Sequence, residues 1–392
     1  MDQTNISQNG DLQEQKSSGK FSRIFYLDYL RAALVILVVL HHTAVVYGAF
    51  TPFYYVELPT DTVLLIFGLF NQAWFMGALF LIAGYFTPGS YESKGAGSFI
   101  KSRLARLGIP LVFFIFVLAP ISATAYWQMP SYLTGITTPL SWEIYPYLLG
   151  MGPMWFLAML LLFTFGYAGW RGLTRGRIFS LGSEASPPGY LAIVLFTLGL
   201  ALVSYLLWFI IPLDRYVFDF PTLAYLPQYL SFFVIGAAAY RRNWLETIPN
   251  TMGAAGFAAA AIATALLFPP AVSSGLLSLE FSDTAYFVGN GTWQSALYAL
   301  WVSVFAVGMC LAALTFFRRF FKKESRFGNF LARQSYAVYI IHTPILVFIA
   351  VTLKGVDWDS LPKFALVAAI AVPVCFAAAW LIRKIPGVAS VI

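Results

Sequence analysis

Charge is scarce in this 392-residue chain. Only 10% of the residues are Asp, Glu, Lys or Arg, where a soluble domain carries about 25%. With 59% apolar residues and a mean hydropathy of +0.75, that shortage excludes a soluble enzyme, a disordered chain and a collagen-like module. Cysteine is nearly absent. Cys310 and Cys375, the only two, both sit in apolar stretches, which excludes a disulfide-rich secreted fold and marks them as packing residues. Neither CxxC nor a Cys/His spacing is present, so no metal is expected. The first 22 residues are rich in Gln, Ser and Asn and lack an apolar run, which excludes a cleavable signal peptide. They read as a disordered cytoplasmic tail ahead of a membrane domain spanning 23–392.

What the chain does have is long apolar runs. A bilayer core of about 30 Å takes about 20 helical residues. Ten stretches qualify, near 27–49, 62–86, 108–129, 153–170, 189–211, 227–240, 251–268, 293–317, 334–353 and 363–382. The fold class is therefore all-α, a polytopic helical membrane bundle. The stretch near 227–240 is short and follows Pro221 and Pro227, so a tilted or partly re-entrant helix is open there.

Basic residues test the count independently. Of the 24 Lys and Arg, only Arg215, Lys354 and Lys363 fall in one alternating set of loops, and Arg31 lies inside the first span. All the others fall in the opposite set. By the positive-inside rule that set is cytoplasmic, with both termini on the same side. The net charge of +7 therefore faces an anionic leaflet, and nucleic acid is not an expected partner. The opposite loops are acidic and aromatic: Glu57, Asp61, Trp142, Glu143, Tyr145, Tyr147, Asp214, Asp219, Glu280, Asp283, Asp357 and Asp359. Two accounts stand open for them, interfacial belt residues with solvated acids, or acceptors and stacking faces for a sugar.

All three histidines, His41, His42 and His342, fall inside spans. Ionisable groups in hydrocarbon are costly and usually face an interior cavity. At about 100° and 1.5 Å per helical residue, Asp28, Arg31 and His42 share one face. Arg31 then stands near the cytoplasmic end and His42 about 16 Å deeper, with His41 about 80° to one side. Histidine is the usual general base near neutral pH. Arginine suits phosphate through its planar fork; for Lys101, Arg103 and Arg106, just inside the third span, two accounts stand open, an addition to such a phosphate site or topology determination alone. This pattern points to a substrate that enters from the cytoplasm and reacts within the membrane. A second cluster, Gln334-Ser335-Tyr336-Ala-Val-Tyr339-Ile-Ile-His342, puts Tyr336, Tyr339 and His342 along one stripe, lining a cavity or bonding between helices. Gly152-Pro153-Met154-Trp155-Phe156-Leu157 opens the fourth span.

Taken in order, these segments resemble the membrane-bound acyltransferase-3 family. Leu27-Asp28-Tyr29-Leu30-Arg31 through His41-His42-Thr43 is similar to its Arg-x10-His signature. Phe80-Leu81-Ile82-Ala83-Gly84-Tyr85-Phe86 resembles its FFxxSGF segment, with Ala83 in place of serine. Arg103 and Arg106, with Leu107 and Pro110, resemble RxxRLxxP. Trp155-Phe156-Leu157 matches WFL, and Ser335-Tyr336 through Tyr339 and His342 matches SYxxYxxH.

The resemblance covers residues 24 to about 385. It implies transfer of an acetyl, succinyl or similar group from cytoplasmic acyl-CoA to a hydroxyl of an extracytoplasmic glycan or similar acceptor. Its nearest branch is that of the periplasmic glucan succinyltransferases. It implies acyl-CoA as donor, no metal, and a site in the cell membrane. His42, Asp28 and His342 would then be catalytic. Arg31, Arg103 and Arg106 would hold CoA phosphates, and His41, Trp155, Tyr336 and Tyr339 would line the cavity. The competing expectation is a proton-coupled exporter of a glycan or lipid, in which buried His and Arg relay protons. No internal repeat supports it.

Overall fold

The computed structural model describes residues 24–48, 53–174, 186–218, 220–221, 223–273 and 285–392. The expected N-terminal tail lies outside the described residues, as do Arg175, Arg177, Asp219, Glu280 and Asp283. Among the described residues, ten helices are long and apolar enough to cross a membrane. They are α1 (Phe25–Gly48), α2 (Thr62–Lys94), α3 (Ala96–Gln128), α4 (Trp155–Leu173), α5 (Tyr190–Trp208), α6 (Leu226–Arg241), α7 (Asn250–Val272), α8 (Trp293–Phe320), α9 (Arg326–Thr352) and α10 (Ser360–Ile382). Each corresponds to one predicted stretch. Among the described residues there is no β-strand, only isolated bridges between Phe53 and Tyr55 and between Val217 and Phe220.

The uncertain sixth span is a regular helix with Pro227 in its first turn, where a missing N–H costs nothing. The third span starts well before its apolar run, at Ala96, so Arg103 and Arg106 ride on the helix itself.

α1 packs against α2, α9 and α10, α2 against α6 and α8, and α7 against α8. α1, α2, α8 and α9 form the buried centre, while α3, α5, α7 and α10 turn most of their surface outward. Leu191, Leu195, Leu198 and Leu202 of α5 are exposed. Their spacing marks a lipid-facing stripe.

Lipid solvates apolar surface as well as protein does, so helices associate by close packing of small residues. A side chain on Gly236 of α6 would overlap the Leu81 carbonyl of α2, and one on Gly84 would overlap the Phe233 carbonyl of α6. Gly256 of α7 and Gly308 of α8 meet backbone to backbone in the same way.

Prolines inside α3 leave carbonyls without their helical donors. Pro110 has no N–H for the Arg106 carbonyl, and Pro120 none for that of Phe116. The helix relaxes into π turns at Leu104–Gly108 and Phe114–Leu118. Tyrosines from elsewhere meet both carbonyls: Tyr336 donates to Arg106 O, and Tyr145 to Phe116 O at 2.6 Å. Such outside partners are what allow proline inside a membrane helix.

The loop from α1 to α2 is tied down by an ion pair. Lys363 of α10 pairs with Glu57, which also accepts from Tyr55 Oη at 3.3 Å. Burial and the Glu57 carboxylate push the Tyr55 phenol's pKa well above its usual value. Arg318, 6% exposed, donates to the Leu245 and Ile248 carbonyls and to Asn250.

Two glycine substitutions separate packing from propensity. Gly236→Val should cost about 3 kcal/mol or more through backbone overlap, read as loss of the monodisperse species or a lower thermal midpoint in detergent. Gly166, with open space where a Cβ would stand, should accept alanine with equal or slightly higher stability.

Candidate active site

Two cavities lie along α1. The first, about 760 Å³, is lined by Asp28 and Arg31 of α1, Lys94, Arg103, Arg106, Arg333 and Arg383, together with Phe156, Leu157, Ser335, Tyr336 and Tyr339. Six basic side chains face one acid, so the cavity attracts anions. Arg31 pairs with Asp28 at 3.0 Å, Lys94 donates to Ser102 at 2.8 Å, and Arg383 donates to the Arg333 carbonyl.

The second cavity, about 530 Å³, is lined by His41, His42, Phe53, Tyr54, Gln72, Tyr126, Tyr147, Pro153, Trp155, Asp214, Tyr216, Tyr225 and Tyr298. It is aromatic, with neutral polar groups and one carboxylate. Tyr225, Tyr229 and Trp155 stack in sequence, at 6.0 Å and 5.4 Å between ring centres. Gln72 donates to the Tyr229 hydroxyl at 3.0 Å.

The divider between the cavities is thin. On α4 the consecutive residues Trp155 and Phe156 line opposite cavities. Tyr339 lines the first cavity and donates to the carbonyl of Pro153, which lines the second. Behind this divider His42 and His342 meet, with His342 Nε2 at 3.1 Å from His42 Nδ1. Their protons can be placed, because carbonyls only accept. His342 Nδ1 lies 2.7 Å from the Tyr339 carbonyl, so a neutral His342 carries its proton on Nδ1 and presents Nε2 as an acceptor. His42 Nδ1 faces that nitrogen and, at 3.0 Å, the Val38 carbonyl, so it too holds the proton. His42 Nε2 is left as the basic nitrogen of a ring that lines the second cavity. Phe53 stacks on that ring at 4.4 Å between centres.

Of the residues singled out from sequence, Asp28, Arg31, Arg103, Arg106, Tyr336 and Tyr339 gather at the first cavity. His41, His42 and Trp155 gather at the second, with His342 buried beneath. Asp28 pairs with Arg31 and lines the cavity that His42 does not. Both tyrosine hydroxyl protons are committed to carbonyls, Tyr336 to Arg106 and Tyr339 to Pro153. His41 Nδ1 is buried without a hydrogen-bond partner. Gln72, Tyr225 and Tyr298 were not anticipated. Gln72 had the same signal as the histidines, a polar side chain inside an apolar span. Among the described residues no cluster of His, Cys, Asp and Glu is suited to a metal ion.

The family model described as "Acyltransferase domain", that of acyltransferase-3, matches residues 24–380. The chain belongs to the acyltransferase-3 family. It is a multi-pass membrane O-acyltransferase. Curated proteins named "Glucans biosynthesis protein C" from Salmonella paratyphi A, Salmonella agona (strain SL483) and Salmonella heidelberg (strain SL476) are 25% identical over 362 residues, covering 85% of this chain and 84% of theirs. No solved structure gives a significant match.

With only three histidines, nitrogen-15 NMR of histidine-labelled protein can resolve each ring. Neutral His42 and His342 should both show a protonated Nδ1 and a bare Nε2. An Nε2–H tautomer at His42 would contradict the assignment.

Proposed function

We propose that the protein transfers an acyl group from acyl-CoA, bound from the cytoplasm in the first cavity, to a hydroxyl of a glucan-type acceptor held from the opposite side in the second. The observation that carries this is the His42–His342 pair at the divider between a cationic cavity and an aromatic one. The positive-inside pattern supports placing the cationic cavity on the cytoplasmic side. The relatives' name supports a glucan as acceptor.

Arg31, Arg103 and Arg106 bind the CoA phosphates through charge-assisted hydrogen bonds. Asp28 keeps Arg31 in place through their 3.0 Å pair. The thioester reaches the divider beside Tyr339 and Phe156. His42 Nε2 takes the proton of the acceptor hydroxyl as its oxygen attacks the thioester carbon. The carbon–sulfur bond then breaks, and the CoA thiolate leaves and takes the proton from His42. The acyl ester remains on the acceptor. His342 Nε2 steadies the imidazolium formed in between by accepting from His42 Nδ1–H, and acts as a positioning residue. Acetyl and succinyl are the donors to try first.

Purified protein in nanodiscs, given acyl-CoA and oligoglucan, should release CoA thiol and form ester. His42→Ala should lower kcat by about 10²- to 10⁴-fold with CoA binding retained. Combined Arg103→Ala and Arg106→Ala should instead raise KM for acyl-CoA by about tenfold or more. His342→Ala should lower kcat while leaving both KM values near wild type, a split that general unfolding would not produce. Full transfer by His42→Ala at normal protein level would overturn the mechanism.

A further inference from the structure

The second cavity, of about 530 Å³, lies within the roughly 300–1,000 Å³ of small-molecule sites. It has room for a sugar unit or a short stretch of them, not for a polymer. Whatever else an oligomeric acceptor carries must leave through the mouth. Tyr147 and Tyr216 stand there: both line the cavity, yet they are 86% and 58% exposed. Phe218, two residues beyond Tyr216, is 89% exposed and has a left-handed backbone, with φ of 50°. A bulky residue is strained in that conformation, and such positions gather at ligand clamps. Tyr54, inside the cavity, has the same φ of 50°. Rings therefore run from Trp155 and Tyr225 on the inner wall, past Tyr54, to Tyr147 and Tyr216 at the mouth.

Belt aromatics ring a membrane protein on its lipid side, whereas these two tyrosines border a cavity opening. Aromatic faces carry negative charge density and suit the C–H faces of sugar rings, while the phenol hydroxyls and Asp214 of the lining suit sugar hydroxyls. The rim has no cationic group among the lining residues, which argues against an anionic headgroup as its occupant.

We propose that Tyr147 and Tyr216 form an outer subsite that binds the glucan chain beyond the unit being acylated, so that the enzyme prefers oligosaccharides to single sugars. This rests on the glucan-acceptor function proposed above.

The test uses the full chain in nanodiscs with acetyl-CoA or succinyl-CoA and linear glucose oligomers of increasing length. Wild type should show KM falling with oligomer length. Tyr147→Ala and Tyr216→Ala should each raise KM for long oligomers about tenfold and flatten the length dependence. Tyr147→Phe, which keeps the ring, should restore most of it. Tyr132→Ala, 77% exposed but outside the cavity lining, should match wild type. An unchanged length profile in both tyrosine-to-alanine variants, or a flat one in wild type, would overturn the subsite while leaving acyl transfer standing. Wild type that turns over acyl-CoA but esterifies no glucose oligomer would overturn the glucan acceptor, and the subsite with it.

Discussion

The bond between His342 Nε2 and His42 Nδ1, 3.1 Å long, organises this protein. In hydrocarbon no water is present to complete a polar group's bonding, so each must find partners in the chain. The carbonyls of Tyr339 and Val38 do this for the two rings, and by accepting they fix where each proton resides. The only basic nitrogen left on His42 is Nε2. That outcome requires α9 to lie against α1, as it does, while close glycine contacts of α2 with α6 and of α7 with α8 pack other helices of the bundle. Fold and site thus answer to the same scarcity of water.

The same constraint explains the tyrosines. Tyr336 and Tyr145 supply donors to the carbonyls that Pro110 and Pro120 strand in α3. Tyr336 thereby joins α9 to the turn that bears Arg106, one of the cationic groups of the first cavity. Tyr339 joins α9 to Pro153 at the divider. The helix that brings His342 to His42 is thus also the helix that positions the cationic cavity and its far wall.

Much of this was legible in the sequence. Ten spans were readable because bilayer thickness sets helix length, and each stretch has its helix. His42 and His342 stood out because ionisable groups in lipid are costly. Their contact was not legible: helical periodicity gives directions around one axis, and it does not say which of nine other helices packs there. Periodicity puts Asp28, Arg31 and His42 on one face of α1, but it does not say what packs against that face. Asp28 and Arg31 line the first cavity with Phe156, Leu157 and Tyr339, and His42 lines the second, so the stripe serves two cavities. Pro110 enters the sequence reading only as part of a motif and Pro120 not at all, since the tyrosines that answer them are remote in the chain.

The central claim is that donor and acceptor occupy cavities on opposite sides of the membrane and meet at His42. It is tested most directly by reconstituting the protein in one orientation in sealed vesicles, with acyl-CoA on one side and oligoglucan on the other. Ester should form only when acyl-CoA is supplied on the face that bears Arg31, Arg103 and Arg106, and the product should appear solely in the opposite compartment. Transfer only when both substrates share one side would contradict it.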